Sequence, residues 1–337
     1  MSNPQPHGIK TALLTAVLLI PCCADGDSEH PTGPPLTLTL ATYKGNVSAM
    51  VYLAQRLQLF EQHGLDVTIR EFEAGKLATD SLVVGPADVT TAGEFVFITN
   101  VYEHPELRIF GTVSDFRLDD LVARGDRGIT TANDLKGKRI GVLEKATSEF
   151  FLGRFLTMND ISLNEVEIVY LKPSEIVEQL RNGKIDGGQT WDPNVCRIRE
   201  ALKHSEVTWD REHGQWKPVE TFVLITTEPW LREHREAALR LIRSLVDAED
   251  YVRANPEKTR LFITEKFGLS EKYTQHVVRE IEFKVELSQA LILAMEDKTR
   301  WAIQNMMIPT DRVPNYLDYI DMSILGEIRP DAISIIR

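Results

Sequence analysis

Leu82-Val-Val-Gly85-Pro-Ala-Asp88 and Leu180-Arg-Asn-Gly183-Lys-Ile-Asp186 spell one frame, L-x-x-G-x-x-D, about 98 residues apart. In each copy an apolar helical run ends at the Gly, a short connector follows, and the Asp opens a β-like stretch. Gly suits the place just past a last helical turn, because the left-handed conformation there is costly for a residue with a Cβ. A β-loop-α-β pattern precedes each copy. The two frames therefore predict a duplicated α/β lobe and a cleft between the copies.

The elements around the frames support that reading. Leu36-Thr-Leu-Thr-Leu-Ala41 alternates as a strand does, 43–48 is a loop, and Ser48 is placed to cap a helix carrying Ala49, Tyr52, Leu53, Leu57 and Phe60. A strand at 65–70 follows, then a helix opened by Ala74-Gly75-Lys76, then a strand at 89–92 running into Gly93-Glu94 and another helix. After Gly128 the order restarts: a capped turn at 130–137, a strand at 139–143, a loop, and a helix at 148–159 bearing Phe150, Phe151, Phe155 and Leu156. A strand at 166–171, a helix from Pro173 to Gly183 and a strand at 185–190 complete the second set, which opens into Trp191-Asp192-Pro193. Alternating strands and helices call for parallel sheets. The expected class is α/β, with two doubly wound sheets flanking a ligand cleft. The expected boundaries are 36–124 plus 220–337 for lobe one, with its C-terminal helices, and 125–219 for lobe two. Hinges are expected near 114–124 and 219–226.

The N-terminus reads as an export signal. Lys10 precedes an apolar run at 11–20, of signal-peptide length and short for a membrane span. Pro21-Cys22-Cys23 ends it. An apolar run closing on Cys resembles a bacterial lipoprotein signal, so 1–23 is read as signal, with Cys22 or Cys23 lipidated, and 24–35 as a polar tether. The expected location is the periplasm or the outer face of the cytoplasmic membrane, with the membrane reached only through the lipid.

Formal charge is −12, and Lys10 is the only charged residue among the first 22, so the remainder is more acidic still. No basic stripe able to neutralise phosphates is present, which argues against nucleic acid as a partner. Of the three cysteines only Cys196 lies beyond the signal boundary, so no disulfide framework exists and the core must hold the fold. Cys196 reads as a packed small hydrophobe. The eight histidines, His204 and His213 included, show no metal-site spacing. Neither metal nor cofactor is expected.

In open α/β sheets ligands bind beyond the carboxyl ends of the strands, where helix N-termini present free N–H groups. Six loops qualify: 42–48, 74–76, 93–94, 144–148, 172–174 and 190–193. Tyr43 and Trp191 supply flat walls with a polar edge. Ser48, Thr147 and Ser148 bring hydroxyls that suit oxyanions, although capping alone would justify those residue types. Trp191-Asp192-Pro193 places an aromatic and a carboxylate beside a helix-starting Pro. Glu94 either biases its own helix or meets a ligand. Lys76 and Lys145 are further charged candidates, with Lys76 read as solvated.

At these residues the chain resembles the solute-binding proteins of ABC importers in the nitrate, sulfonate, taurine and thiamine-precursor group, whose fold is the periplasmic binding protein of the second type. The likeness is carried by Tyr43-x-Gly45-x-x-Ser48-Ala49, Gly64-Leu65-Asp66-Val67, Gly75 and the first frame. In the second half it lies in Thr147-Ser148, Pro173, the second frame and Trp191-Asp192-Pro193. The resemblance implies capture of a small organic solute, sulfonate, taurine-like or pyrimidine-like, and delivery to an ABC permease and ATPase. It carries Tyr43, Ser48, Thr147, Ser148, Trp191 and Asp192 over as lining positions, and Gly75 and Glu94 join them as candidates. Glu94 departs from the smaller residue usual in the group; an acid there favours a ligand with an amine or ring N–H. The competing function is an enzyme on the same fold, of the pyrimidine-synthase or chorismate-dehydratase kind. Export and the missing cysteine-rich signature of the synthases weigh against it. A third reading, a sensor for a membrane partner, lacks any signalling domain in the chain.

Overall fold

The structure, a computed structural model, describes Met1 and residues 34–117, 119–203, 205–209 and 219–336. Cys22, Cys23, His204, His213 and nearly all of the expected signal and tether lie outside the described residues.

The first sheet opens with Leu36–Tyr43 (β1), Ala49–Arg56 (α1), Leu59–Gln62 (α2), Leu65–Phe72 (β2), Gly75–Val83 (α3) and Val89–Gly93 (β3). Glu94–Asn100 (α4) and Leu107–Phe116 (β4) follow, and the chain then crosses to Asp119–Arg124 (β5). The second set is Arg139–Val142 (β6), Thr147–Met158 (α5), Glu167–Tyr170 (β7), Pro173–Arg181 (α6), Gly187–Trp191 (β8), Asn194–Ala201 (α7) and Glu206–Trp209 (β9). Glu220–Thr227 (β10) returns to the first sheet. Then come Glu228–Glu233 (α8), Arg235–Ala254 (α9), Pro256–Phe267 (α10), Glu271–Val277 (α11), Ile281–Phe283 (β11), Gln289–Gln304 (α12) and Ser323–Ile328 (α13).

The sheet orders are β11-β4-β10-β3-β1-β2 and β7-β6-β8-β5-β9. The three leading strands of each are parallel, β2-β1-β3 and β7-β6-β8. Each then gains an antiparallel fourth strand from a segment joining the lobes: β10 beside β3, and β5 beside β8. The expected lobe boundary at 124 is thereby corrected. β5 belongs to the second sheet, so the chain crosses between Phe116 and Asp119. Packing explains the placement. Leu121 and Ala123 join the core with Leu152 and Leu156 of α5, whereas Val122 faces Ile176, Leu180, Val195 and Ile198 on α6 and α7. Alternate side chains of one strand thus complete both faces of the sheet.

The repeated frame has a shared bonding role. Asp88 donates its N–H to the Thr39 carbonyl at 2.9 Å and accepts the Thr39 N–H on its carboxylate at 2.7 Å. Asp186 does the same to Arg139, at 2.8 and 3.1 Å. Each Asp therefore clamps the entry of β3 or β8 to the neighbouring parallel strand. Gly85 and Gly183 adopt φ of 99° and 68°, which turns the chain from helix to clamp.

Burial would raise the Asp186 carboxyl, but the Arg139 N–H and the Arg127 guanidinium at 2.9 Å outweigh it and hold the group below the ordinary carboxylate range. A depressed folded-state value means stability that is present at neutral pH and lost as pH falls through the carboxylate range. Asp186→Asn is expected to cost about 1–2 kcal/mol at neutral pH in urea unfolding. The gap from wild type should shrink below about pH 4; a pH-independent gap would show that the charge plays no part.

Candidate functional site

A pocket with about 500 Å³ of empty space, part of it open to solvent, lies between the sheets at the carboxyl ends of their parallel strands. Ala74, Gly93 and Ala146 line it, and these are the N-cap residues of α3, α4 and α5. None makes a side-chain capping bond. The first N–H groups of a helix have no intrahelical acceptor, and an Ala or Gly cap leaves them for whatever fills the pocket. The remaining wall is largely apolar, with Val47, Val96, Phe116, Leu143, Trp191 and Phe222.

Tyr43 and Trp191 meet across the pocket. The Trp191 indole N–H donates to the Tyr43 hydroxyl at 3.0 Å, and that hydroxyl donates to the Asp192 carbonyl at 3.4 Å. Their rings stand edge to face, 6.0 Å apart at 87°. At the rim, the Ser174 N–H of α6 donates to Glu73 at 3.3 Å. Thr99 donates to the Lys145 carbonyl at 3.1 Å.

Tyr43, Gly75, Thr147, Ser148 and Trp191 come together on the lining. Thr147 and Ser148 are not caps: they are the first two residues of α5, both buried, and neither hydroxyl has a hydrogen-bond partner among the described residues. A buried hydroxyl without a partner is costly, by about 1–3 kcal/mol. Glu149, next in α5, is engaged with the Tyr170 hydroxyl at 2.8 Å and the Lys145 N–H at 2.7 Å, and burial pushes its carboxyl up.

Three expected lining residues fall elsewhere. Ser48 is at the N-cap of α1, but its hydroxyl accepts from Thr42 at 3.0 Å inside the first lobe. The Asp192 carboxylate accepts the Cys196 N–H at 3.1 Å and so serves the start of α7, with Pro193 at the N-cap. Burial and that carboxylate push the Cys196 thiol up to about 12. Glu94 points away from the pocket into a fully buried ion pair with Lys298 of α12, and also accepts the Thr221 N–H at 2.9 Å. The loop at 172–174 instead lines, through Pro173, a second cavity that shares Tyr43 with the first.

The acid on the pocket wall is Glu220, and Lys76, expected in solvent, lines the pocket with its ammonium on Asp80. Asn46, Phe116 and Phe222 were likewise not singled out by sequence. One signal was available: Glu220 is the single charge in the apolar run Val219-Glu-Thr-Phe-Val-Leu-Ile, two residues from Phe222 and so on its face.

Removing one partner of a buried pair strands the other charge. Lys298→Met should therefore cost about 3–5 kcal/mol in chemical denaturation, and adding Glu94→Gln should recover part of that loss. Equal cost in the single and double variants would refute the pairing.

These features define a two-lobed periplasmic-binding-protein fold with an interlobe pocket. The chain belongs to the NMT1/THI5 like family, whose model matches residues 46–259. It is 27% identical over 230 residues to a candidate binding protein of Brucella abortus (strain 2308), covering 68% of this chain and 69% of that protein. It is 27% identical over 199 residues to the taurine-binding periplasmic protein of Escherichia coli (strain K12), covering 58% and 61%. The alkanesulfonate-binding protein SsuA from Xanthomonas axonopodis pv. citri, solved with MOPS bound, shares the fold at a TM-score of 0.73 and 18% identity, over 86% of this chain and all of that one. The desulfurization enzyme DSZB shares it at 0.60 and 14%, over 87% and 98%. The family likeness and fold class expected from sequence hold.

Proposed function

We propose that the chain is an extracytoplasmic solute-binding protein that takes a small organic oxyanion of the sulfonate kind into the interlobe pocket and delivers it to an ABC permease and its ATPase. One observation carries the reading: the unpartnered hydroxyls of Thr147 and Ser148 at the uncapped start of α5, facing the pocket. A helix N-terminus favours negative charge, and the two hydroxyls add donors aimed the same way. The walls of Phe116, Phe222 and Trp191 suit an organic body better than bare nitrate. A pyrimidine-like ring would use those walls but would leave the hydroxyl seat without an anion. The names of the taurine-binding and alkanesulfonate-binding relatives agree with a sulfonate. Anchoring through Cys22 or Cys23, and lobe closure about the two crossings, belong to the same proposal.

The enzyme reading keeps one point, the shared fold of a desulfurization enzyme. Its expected acid, Glu94, is locked in an ion pair, and the raised Cys196 thiol is a poor nucleophile.

Millimolar alkanesulfonates are expected to raise the melting temperature of the purified protein. The double variant Thr147→Val, Ser148→Ala should bind them about tenfold or more weakly, yet melt no lower than wild type without ligand, because it removes unpartnered buried hydroxyls. The absence of any shift across the panel, or undiminished binding by the double variant, would sink the proposal.

A further inference from the structure

Glu149 is the third residue of α5, directly after Thr147 and Ser148, and it is buried. Its two carboxylate oxygens have separate tasks. One accepts the Lys145 N–H at 2.7 Å, and the other accepts the Tyr170 hydroxyl at 2.8 Å. Lys145 needs the tether, because its φ of 54° is a left-handed conformation that costs a residue with a Cβ. The first lobe holds the same residue too, with the Thr99 hydroxyl on its carbonyl at 3.1 Å and Glu103 on its ammonium at 3.3 Å. This turn leads into Ala146, the N-cap residue of α5, so its shape decides where the helix start and its two hydroxyls lie.

The brace carries a charge. A carboxylate in the first turn of a helix is favoured by the free N–H groups there, and an anion seated at the same end repels it. The ionisable groups around Glu149 do not cancel it. Glu144 is a second acid, the Tyr170 hydroxyl is neutral, and the Lys145 ammonium is shared with Glu103. Burial raises the Glu149 carboxyl above its ordinary value, against the lowering effect of the bonds from Tyr170 and the Lys145 N–H. A carboxyl already raised is one that a neighbouring anion can protonate.

We infer that Glu149 sets the affinity of the oxyanion seat: it positions the α5 start through the Lys145 turn, and an anion bound there draws a proton onto it. The inference rests on the oxyanion reading of the Thr147–Ser148 seat. The sign follows from linkage. If the anion raises Glu149's affinity for a proton, the proton raises the seat's affinity for the anion. Binding is then tightest in acid, weakens as pH rises through the Glu149 titration, and levels off above it.

Calorimetric titration of the whole purified protein with ethanesulfonate, in two cationic buffers of different ionisation enthalpy, tests it. The sulfonate stays ionised between about pH 5 and 8, so any pH dependence belongs to the protein. Wild type should take up a proton on binding and bind at least about fivefold more tightly at about pH 5 than at about pH 8. Glu149→Gln, whose amide can keep both hydrogen bonds, should bind at the alkaline end as tightly as wild type does in acid, with a flat profile. Tyr170→Phe, at a half-exposed site, removes a bond to the charged carboxylate and should move the midpoint to higher pH. Should Glu149→Gln fail to fold, an unmoved midpoint in Tyr170→Phe overturns the inference. A pH dependence that survives in Glu149→Gln also overturns it and assigns the proton to another acid, Glu220 on the pocket wall being the candidate. Wild-type binding that ignores pH overturns the inference while leaving the oxyanion seat standing. No binding at any pH overturns both.

Discussion

Phe150 holds the site together. It belongs to α5, in the second lobe by chain order, yet its ring is buried in the first lobe's core, 5.5 Å from Phe95 and 5.1 Å from Trp301. Gly153, one turn on, admits Trp301 so closely that a Cβ there would lie 2.1 Å from the indole. The other face of α5 packs Leu152 and Leu156 onto the second sheet. One helix is thus gripped by both lobes through apolar burial, each large side chain contributing about 1.5–3 kcal/mol. Its N-terminus, with the hydroxyls of Thr147 and Ser148, is held where the two halves meet.

The charges around this seam are sorted by depth. Lys298 lies under the rings of Phe150 and Phe151, 5.3 and 5.8 Å from their centroids, and neutralises Glu94. A carboxylate at the start of α4 is thereby removed from the pocket's electrostatics and put to work in the core. Its second oxygen accepts the Thr221 N–H, one residue from Glu220, so the buried pair also fixes the backbone that presents the pocket's own acid. What remains on the pocket wall is a compact arrangement: uncapped helix ends and free hydroxyls on one side, a carboxylate on the other, and Tyr43 bonded to Trp191 across the gap.

Much of this was legible in the residue order. The two L-x-x-G-x-x-D frames announced the duplication because helix stops and strand entries are local events, and the Asp clamps give both copies one bonding reason. The loops bearing Tyr43, Gly75, Thr147, Ser148 and Trp191 lie around one pocket, and their positions follow from strand–helix alternation. Glu94 was misplaced because its partner, Lys298, is 204 residues away and no local pattern pairs them. Glu220 was passed over because the segment at 219–226 was read as a hinge, and a strand acquires a pocket face only once its neighbours are known. The same lack of partners misassigned β5, which looked like the end of one lobe and forms part of the other sheet.

Sequence alone determined the repeat, the order of the elements, the helix starts near the cleft and the net acidic charge, because each follows from short-range backbone preference or from simple charge. Only the tertiary structure decided which carboxylate is neutralised in the core and which faces the pocket, and which lobe receives Phe150 and β5. Those outcomes depend on desolvation and packing between segments far apart in the chain. The energy of burying a charge or a ring is set by what surrounds it, and the surroundings exist only after folding.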